Sequence, residues 1–382
     1  MRTLSVFTLA LLCAAAARSQ PAAGWQACAA LPDAGVRLAC FDRWAAEQSG
    51  PLPAQAPLTP APPVSDPSRP ALPSPWTAPR TAATPAPPPE RQAELGCRDP
   101  QHSELMRFWE LTPASGCGIF GIRSYRPISL SLVTSDSVNR QPTSANPLNN
   151  VATPQPYRTT EMRIQLSVRS KLAEGILTDG PDRRDSLWFG YTQQSYWQLF
   201  TGALSRPFRN TDHEPEVMYV YPLLLRPVAG WHLRYTGVGI VHQSNGQSLP
   251  LSRSWNRAYL MAGLEHRSGW TLEGRVWRRL REDSAQDDNP GIGDYVGRAE
   301  LAAGWRAADG QQLRMTVRSS LNRPGRGSAR LQWLVPVGSD EPGGRPGSLR
   351  LHTQLFSGYG DSLVDYNRKR TVFSIGLSLV DW

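Results

Sequence analysis

Short segments of alternating apolar and polar residues recur along most of this chain, and they constrain its fold more than any other feature. Residues 163–168 read Arg-Ile-Gln-Leu-Ser-Val, and residues 329–334 read Ala-Arg-Leu-Gln-Trp-Leu. Successive residues of a β-strand point to opposite sides, so this alternation gives each strand one apolar and one polar face. The chain is therefore predicted to be mainly β.

About twelve such segments lie between residues 118 and 382, at the spacing of antiparallel hairpins. We place their starts near residues 124, 161, 186, 215, 231, 252, 268, 291, 309, 326, 347 and 370. An even number of alternating strands is typical of single-chain outer-membrane barrels. The predicted fold class is all-β, a twelve-stranded antiparallel transmembrane β-barrel over residues 118–382.

Aromatic and apolar residues favour a membrane barrel over a soluble β-sandwich or barrel, which is the alternative fold. In the last segment, Phe373, Ile375, Leu377 and Leu379 share one face, and Trp382, at the chain end, is out of phase with them. A bulge near the end would explain this shift. Aromatic residues near segment ends are predicted to form interfacial girdles; they are Trp188, Tyr191, Trp197, Trp231, Trp270, Tyr359 and Trp382.

Charge and hydropathy exclude some classes of protein. The 382 residues carry a net charge of +9 and include 19% charged residues, too few for a highly charged disordered protein. The one long apolar run is N-terminal, which rules out a helical membrane protein. Nearly all the basic residues are arginines, and they are scattered rather than clustered. We therefore predict no nucleic-acid partner.

The first 117 residues are predicted to fall into four pieces. Residues 1–19 have a basic start and a short apolar core, which indicates a signal peptide for export. Residues 20–50 form a small cysteine-paired segment, 51–93 a Pro/Ala-rich linker, and 94–117 a second cysteine-paired segment before the barrel. Four cysteines remain after the signal, and the simplest of three connectivities is Cys28–Cys40 with Cys97–Cys117.

Residues 239–257 hold the most informative group of polar side chains. His242 and Ser244 are two residues apart and would project from one face of a strand. A serine needs an adjacent base to act as a nucleophile, and the imidazole needs a partner that fixes its orientation. Asn256 on the next segment can supply that partner through antiparallel pairing. The simpler interpretation is a strand end with a hairpin turn at Asn245-Gly246.

We predict no role for four other histidines, because they have no comparable neighbours; they are His213, His232, His266 and His352. The sequence contains neither a GxSxG nucleophile elbow nor a phosphate-binding loop.

The stretch His-Gln-Ser-Asn-Gly-Gln-Ser followed by Ser-Arg-Ser-Trp-Asn-Arg resembles the active-site signature of the outer-membrane phospholipase A family. Three further stretches support the resemblance: residues 191–198, residues 207–215 with Pro-Phe-Arg and Glu-Pro, and the acidic run 287–290. The resemblance covers residues 118–382 and is densest from 186 to 290. It implies a twelve-stranded bacterial outer-membrane barrel that hydrolyses phospholipid acyl esters at either position, with calcium as cofactor and a homodimer as the active form.

Carried over by position, the resemblance implies roles for individual residues. Ser244 would be the nucleophile, His242 the general base and then acid, and Asn256 the orienting residue. The Gly246 amide would help to hold the oxyanion. Gln193 matches a glutamine at the family's dimer interface.

The same resemblance suggests a calcium site. Its implied ligands are Ser252, the Gln247 backbone carbonyl, Asp288 and the position of Arg206. The family has serine where this chain has Arg206, which departs from the pattern, and Ser205 or a backbone carbonyl would have to replace it. Calcium accepts mixed oxygen ligands.

Two other function classes compete with a phospholipase. A non-enzymatic outer-membrane porin or structural barrel would have the same strands but no need for His242, Ser244 and Asn256 together. A secreted, soluble serine esterase would be extracted without detergent.

Overall fold

Two separate units make up the described part of the chain. The computed structural model describes residues 24–48, 96–284, 286–322, 325–338 and 348–380. The predicted signal peptide, the predicted linker and Trp382 lie outside the described residues. A small helical unit precedes the linker, and a much larger unit follows it. None of the helices in these ranges is long and apolar enough to span a membrane.

A disulfide joins the two helices of the first unit. Helix α1 spans Gly24–Ala29 and helix α2 spans Ala34–Gln48. The Asp33 carboxylate accepts a hydrogen bond from the Val36 amide at 2.9 Å, which satisfies a free donor at the start of α2. The Cys28–Cys40 bond holds the helices together, as the simplest pairing predicted. So small a unit has little core of its own and depends on the disulfide.

The second unit contains thirteen strands of a single sheet within the described ranges. They are β1 (Ile122–Ser124), β2 (Ile128–Ser135), β3 (Thr160–Asp179), β4 (Arg184–Trp197), β5 (Asn210–Leu225), β6 (Trp231–Ser244), β7 (Ser254–His266), β8 (Trp270–Arg279), β9 (Ala299–Arg306), β10 (Gln312–Ser319), β11 (Gly327–Pro336), β12 (Leu349–Gly358) and β13 (Arg370–Leu379). Two short helices accompany them, α3 (Glu104–Trp109) and α4 (Ile292–Tyr295). Five 3₁₀ turns lie at Gly96–Arg98, Pro113–Ser115, Pro147–Asn149, Gly202–Leu204 and Leu363–Asp365.

Strands β2 to β13 close into a barrel, because each pairs antiparallel with the next and β13 pairs with β2. The short strand β1 pairs with β3 further along the same edge that β2 uses. β1 and β2 are thus two pieces of one strand, separated near Pro127, which has no amide hydrogen to donate to a ladder. The predicted twelve-stranded antiparallel barrel is confirmed. We call the end that carries the loops after β2, β4, β6, β8, β10 and β12 the loop end.

One predicted strand start is wrong. The other starts lie within five residues of the observed ones, but the segment placed at 291 begins as a strand only at Ala299. Residues 292–295 form α4 instead, and Ile292 and Val296 pack with Trp255 and Tyr366 in a buried cluster. These apolar residues fill a core in the loops at this point, so their spacing is not that of a strand.

The outer wall of the barrel is apolar. Phe373, Ile375, Leu377 and Leu379 of β13 are all exposed, whereas the alternate residues Ser374 and Ser378 are buried. The same alternation puts leucines, valines and tryptophans on the outside of the neighbouring strands. An apolar exterior is what a barrel surrounded by lipid requires.

The segment that precedes the barrel enters the lumen. Leu105 and Trp109 of α3 are buried among aromatic residues of the strands, with the Trp109 ring 5.9 Å from Trp188 and 5.5 Å from Tyr235. The Glu104 carboxylate forms an ion pair with Arg306 of β9 at 2.9 Å. The Cys97–Cys117 disulfide closes the chain around this plug. Trp188 therefore faces the lumen, and its predicted place in an interfacial girdle is wrong.

Candidate active site

The predicted catalytic residues lie on the outer wall of the barrel, close to the loop end. His242 and Ser244 are the last outward-facing residues of β6, and Asn256 faces outward near the start of β7. The outward neighbours of this group toward mid-strand are apolar, and Ile240 and Leu260 are each 59% exposed. The polar group thus lies where the apolar exterior meets the loops.

His242 and Asn256 are directly paired. They face each other in the β6–β7 ladder, and His242 Nδ1 lies 2.8 Å from Asn256 Oδ1. An amide oxygen can only accept, so the imidazole donates from Nδ1 and its Nε2 lone pair is left free. The predicted approach of Asn256 to His242 is confirmed.

Asn256 has a second partner. Its Nδ2 donates to Glu282 Oε1 at 3.0 Å, and Glu282 forms an ion pair with Arg279 at 2.9 Å. Glu282 lies in the loop after β8. The sequence predicts no role for Glu282, since it falls in a charged run that is typical of a solvated loop.

Ser244 projects on the same side as His242, two residues along β6. Among the described residues, no hydrogen bond joins its hydroxyl to the imidazole. A bond between nucleophile and base is often long before substrate binds, and it tightens in the reacting complex. In the structure the serine therefore lies beside the His242–Asn256 pair but is not hydrogen-bonded to the imidazole.

The loop after Ser244 is closed by Asn245. The Asn245 amide donates to the Arg253 carbonyl at 3.0 Å, and the Asn245 side chain accepts from the Arg253 amide at 2.9 Å. Gly246 follows with φ +60°, a left-handed conformation that favours glycine. The proposed oxyanion donor thus lies in a fixed turn, not in a two-residue hairpin.

A histidine for which the sequence predicts no role borders this site. His213 of β5 faces Ser244 in the β5–β6 ladder. Its Nδ1 lies 2.8 Å from the Tyr191 hydroxyl, and its ring comes within 3.9 Å of where a Cβ on Gly246 would lie. Only the strand register brings His213 here, 31 residues away from Ser244 in sequence.

Two of the four predicted calcium positions come together. The Ser252 hydroxyl donates to Asp288 Oδ2 at 2.6 Å. Asn149 joins them, because its Nδ2 donates to the Ser252 carbonyl at 2.9 Å and to Asp288 Oδ1 at 3.1 Å. Asn149 is fully buried, and its Oδ1 has no hydrogen-bond partner.

Within the described residues, no hydrogen bond joins the other two predicted positions to this cluster. Gln247 directs its side chain to the Arg209 carbonyl at 3.2 Å. Arg206 is exposed in the loop after β4, and its side chain makes no hydrogen bond or ion pair within the described residues. The described ranges contain no group of three or more His, Cys, Asp or Glu that could hold a metal.

Hydroxyl, carboxylate and amide oxygens are the ligands that calcium prefers, so the cluster of Ser252, Asp288 and Asn149 suits that ion.

An apolar groove runs along the outer wall beside the His242–Asn256 pair. Side chains of β4 to β8 line it, and they include Leu187, Val217, Val238, Ile240, Ala258 and Leu260. A groove of this composition suits a hydrocarbon chain.

Comparison with known proteins gives a consistent result. The model of the phospholipase A1 family matches residues 105–379. Phospholipase A1 of Escherichia coli K12 is 37% identical over 225 residues, which cover 59% of this chain and 71% of that protein.

Two solved structures have the same fold at 32% identity. One is the Salmonella typhi outer membrane phospholipase dimer with bound calcium, with a TM-score of 0.58 over 69% of this chain and 93% of that one. The other is E. coli outer membrane phospholipase A with an active-site asparagine replaced by alanine, with a TM-score of 0.59 over 70% and 94%. Because the family model matches residues 105–379, which include most of α3 and every strand of the barrel, this chain belongs to the phospholipase A1 family.

Proposed function

We propose that this enzyme hydrolyses the acyl esters of phospholipids in the bacterial outer membrane, with Ser244, His242 and Asn256 as its catalytic triad. The observation that carries this proposal is the 2.8 Å contact between His242 Nδ1 and Asn256 Oδ1 on the outer wall, with Ser244 on the same side. Lipid surrounds that wall, so the substrate reaches the triad from the side. The asparagine named as an active-site residue in the E. coli structure supports a triad of this kind.

The first half-reaction forms an acyl-serine. Ser244 Oγ attacks the ester carbonyl carbon while His242 Nε2 takes the hydroxyl proton. Asn256 accepts from Nδ1 and keeps the imidazole in the orientation that leaves Nε2 free. The carbon–oxygen bond to the glycerol then breaks, and His242 returns the proton to the leaving oxygen. A lysophospholipid departs, and the acyl group remains on Ser244.

The second half-reaction uses water. His242 removes a proton from a water molecule, which attacks the acyl carbon, and the Ser244–acyl bond breaks with the proton returned to Ser244. A fatty acid is released. In both steps the Gly246 amide stabilises negative charge on the former carbonyl oxygen, and the apolar groove holds the acyl chain.

Calcium is the proposed cofactor. Ser252, Asp288 and Asn149 would hold it, with the Gln247 carbonyl as a further oxygen from the same loop. When bound, the ion adds positive charge near the site where negative charge develops on the substrate. The Arg206 side chain cannot be a ligand, because a guanidinium has no free lone pair to offer, so Ser205 or a backbone carbonyl would have to take its place.

A homodimer is the proposed active form. Tyr191, Gln193 and Ser195 lie on the outer side of β4 and hydrogen-bond one another in a row, in which Tyr191 and Gln193 are partly exposed and Ser195 is buried. Polar groups that face lipid are costly, so such a row favours a protein partner over hydrocarbon. The calcium-bound relative named above is a dimer.

A porin is disfavoured by a specific observation. The lumen holds α3 and a network of arginine–glutamate pairs, which include Arg314–Glu273 at 2.9 Å and Arg318–Glu300 at 2.7 Å. A water-filled channel needs an open lumen.

Lipid hydrolysis by detergent-refolded protein tests the proposal. Wild type is compared with Ser244→Ala, each with calcium and with a chelator. We expect calcium-dependent release of fatty acid that is lost in the variant, while both proteins fold into barrels. Wild-type activity in Ser244→Ala would show that the nucleophile is wrong.

A further inference from the structure

The side-chain amide of Asn256 can present either of its two ends to His242. Oδ1 accepts a hydrogen bond from the imidazole N–H, whereas Nδ2 can only donate. An amide rotated by half a turn would therefore place a donor against a donor and release the imidazole. Something must select the productive orientation, and the β6–β7 ladder alone does not, since it fixes the backbone of Asn256 but not its side chain.

Glu282 supplies that selection. A carboxylate is an acceptor only, so Glu282 Oε1, 3.0 Å from Asn256 Nδ2, can bond just the nitrogen end of the amide. With Nδ2 held, Oδ1 faces His242 Nδ1 at 2.8 Å. The wrong rotamer would lose both hydrogen bonds and would place Oδ1 against the carboxylate.

The carboxylate is itself held in position. The Leu280 amide donates to the Asn256 carbonyl at 2.8 Å, which extends the β7–β8 pairing to within two residues of Glu282. Arg279 binds Glu282 Oε2 at 2.9 Å and Asp287 Oδ1 at 2.7 Å. The Glu282 side chain is thus held on both oxygens, two residues beyond the last paired residue of the ladder. The side chain is only 18% exposed, which limits competition from water.

We propose that Glu282 is a positioning residue of this enzyme, which acts through Asn256 to keep the His242 imidazole in its catalytic orientation. The inference rests on the proposed triad and extends it to a fourth residue. Glu282 does not touch the substrate, so its loss should lower turnover and leave substrate binding unchanged.

The test measures kcat and KM of calcium-loaded enzyme on phospholipid micelles for Glu282→Ala and Glu282→Gln. A hydrogen bond to a charged group accounts for roughly 10-fold to 100-fold, so Glu282→Ala should lower kcat by that factor with KM unchanged. Glu282→Gln keeps an acceptor oxygen for Nδ2 but can also turn its donor end toward Asn256, so it should recover part and not all of the lost rate. Asp309→Ala, in the turn after β9 at the opposite end, is the matched control for loss of a carboxylate.

A double-mutant cycle tests whether Glu282 acts on kcat through Asn256. If Glu282 acts through Asn256, Glu282→Ala should change kcat by less than about twofold in an Asn256→Ala background. An equal loss in both backgrounds would overturn the inference, as would wild-type kcat in Glu282→Ala, or a change confined to KM. Ser244→Ala is measured beside them: an active Ser244→Ala defeats the triad itself, whereas an inactive one with unaffected Glu282→Ala defeats only this inference. Heat-dependent gel mobility confirms that each variant is a folded barrel.

Discussion

Arg209 on the inner side of the barrel and Asn256 on its outer wall both use side-chain hydrogen bonds, but their surroundings differ. Arg209 is buried against Glu161, with Nε–Oε1 at 2.6 Å and a second bond at 3.0 Å, and it lies 3.4 Å from Asp365. Asn256 is half-buried at the edge of an apolar wall and belongs to a short chain of side chains that ends at His242.

The inner charges are bonded to one another, because an ion taken out of water costs several kcal/mol unless it is paired. Within the part of the chain that the structure describes, the outer group keeps two groups without a hydrogen-bond partner, namely the Nε2 lone pair of His242 and the hydroxyl of Ser244. Polar groups that lack a partner beside lipid do not stabilise the fold. This difference is consistent with a stabilising role for the buried ion pairs inside the barrel and with the proposed chemistry for the outer group.

His242→Ala gives the largest expected effect in this comparison. Loss of the base should lower kcat by about 10⁴-fold, equivalent to roughly 5 kcal/mol of transition-state stabilisation. The urea midpoint of the barrel should stay within error of wild type, since the imidazole packs against no core. The measurement pairs micellar kinetics with denaturation in the same detergent. A shifted midpoint would show that the outer group also supports the fold.

Arg209→Met should have the opposite effect, a loss of stability with unchanged activity. Truncation leaves Glu161 buried without its partner, and breaking a buried ion pair costs about 3–5 kcal/mol. The midpoint for unfolding should fall accordingly, while kcat at a temperature where the variant is folded stays near wild type. Arg183→Met, an exposed change in the turn after β3, is the control. A stable but inactive Arg209→Met would contradict the division of roles.

The barrel could be predicted from sequence because its information is local. A strand shows its alternation within a few residues, and the outer positions of β13 follow directly from it. Asn256 could be predicted to face His242 for a related reason. Once Ser244 ends one strand and a short loop leads to the next, antiparallel pairing leaves few registers.

Contacts between distant segments could not be predicted. Trp109 packs on Trp188 and Tyr235, but nothing near residue 109 shows that a helix will enter a lumen. Asn149 meets Ser252 across 103 residues, from a loop without a motif. Glu282 depends on where β8 ends, and His213 on the β5–β6 register. In each case the partner is set by closure of the barrel, which the local pattern does not encode.

Asp288→Asn should weaken calcium binding by about 10-fold to 100-fold, since calcium affinity depends on ligand charge. Asn149→Ala should weaken it less, because a neutral ligand is lost. Calcium-dependent stabilisation against heat measures both, independent of activity. Ser137→Ala, a partly exposed change in the same loop as Asn149, is the control. Unchanged stabilisation in both variants would show that calcium binds elsewhere.

The pH dependence of the melting temperature gives the smallest expected effect, and it tests only the buried ion pairs inside the barrel. Burial would raise the pKa of Asp365, but Arg209 and Arg370 outweigh it and hold that pKa below the ordinary aspartate value. A carboxyl with a lowered pKa in the folded state adds stability above its unfolded value of about 3.9, and this stability is lost as the pH falls through the folded pKa. The wild-type melting temperature should therefore drop below about pH 4.

In Asp365→Asn the drop should be shallower and the melting temperature at pH 7 lower, because the Asp365 charge no longer contributes at either pH. If both proteins lose stability in parallel with acid, Asp365 does not carry this linkage, and the inner charges contribute to folding through packing alone.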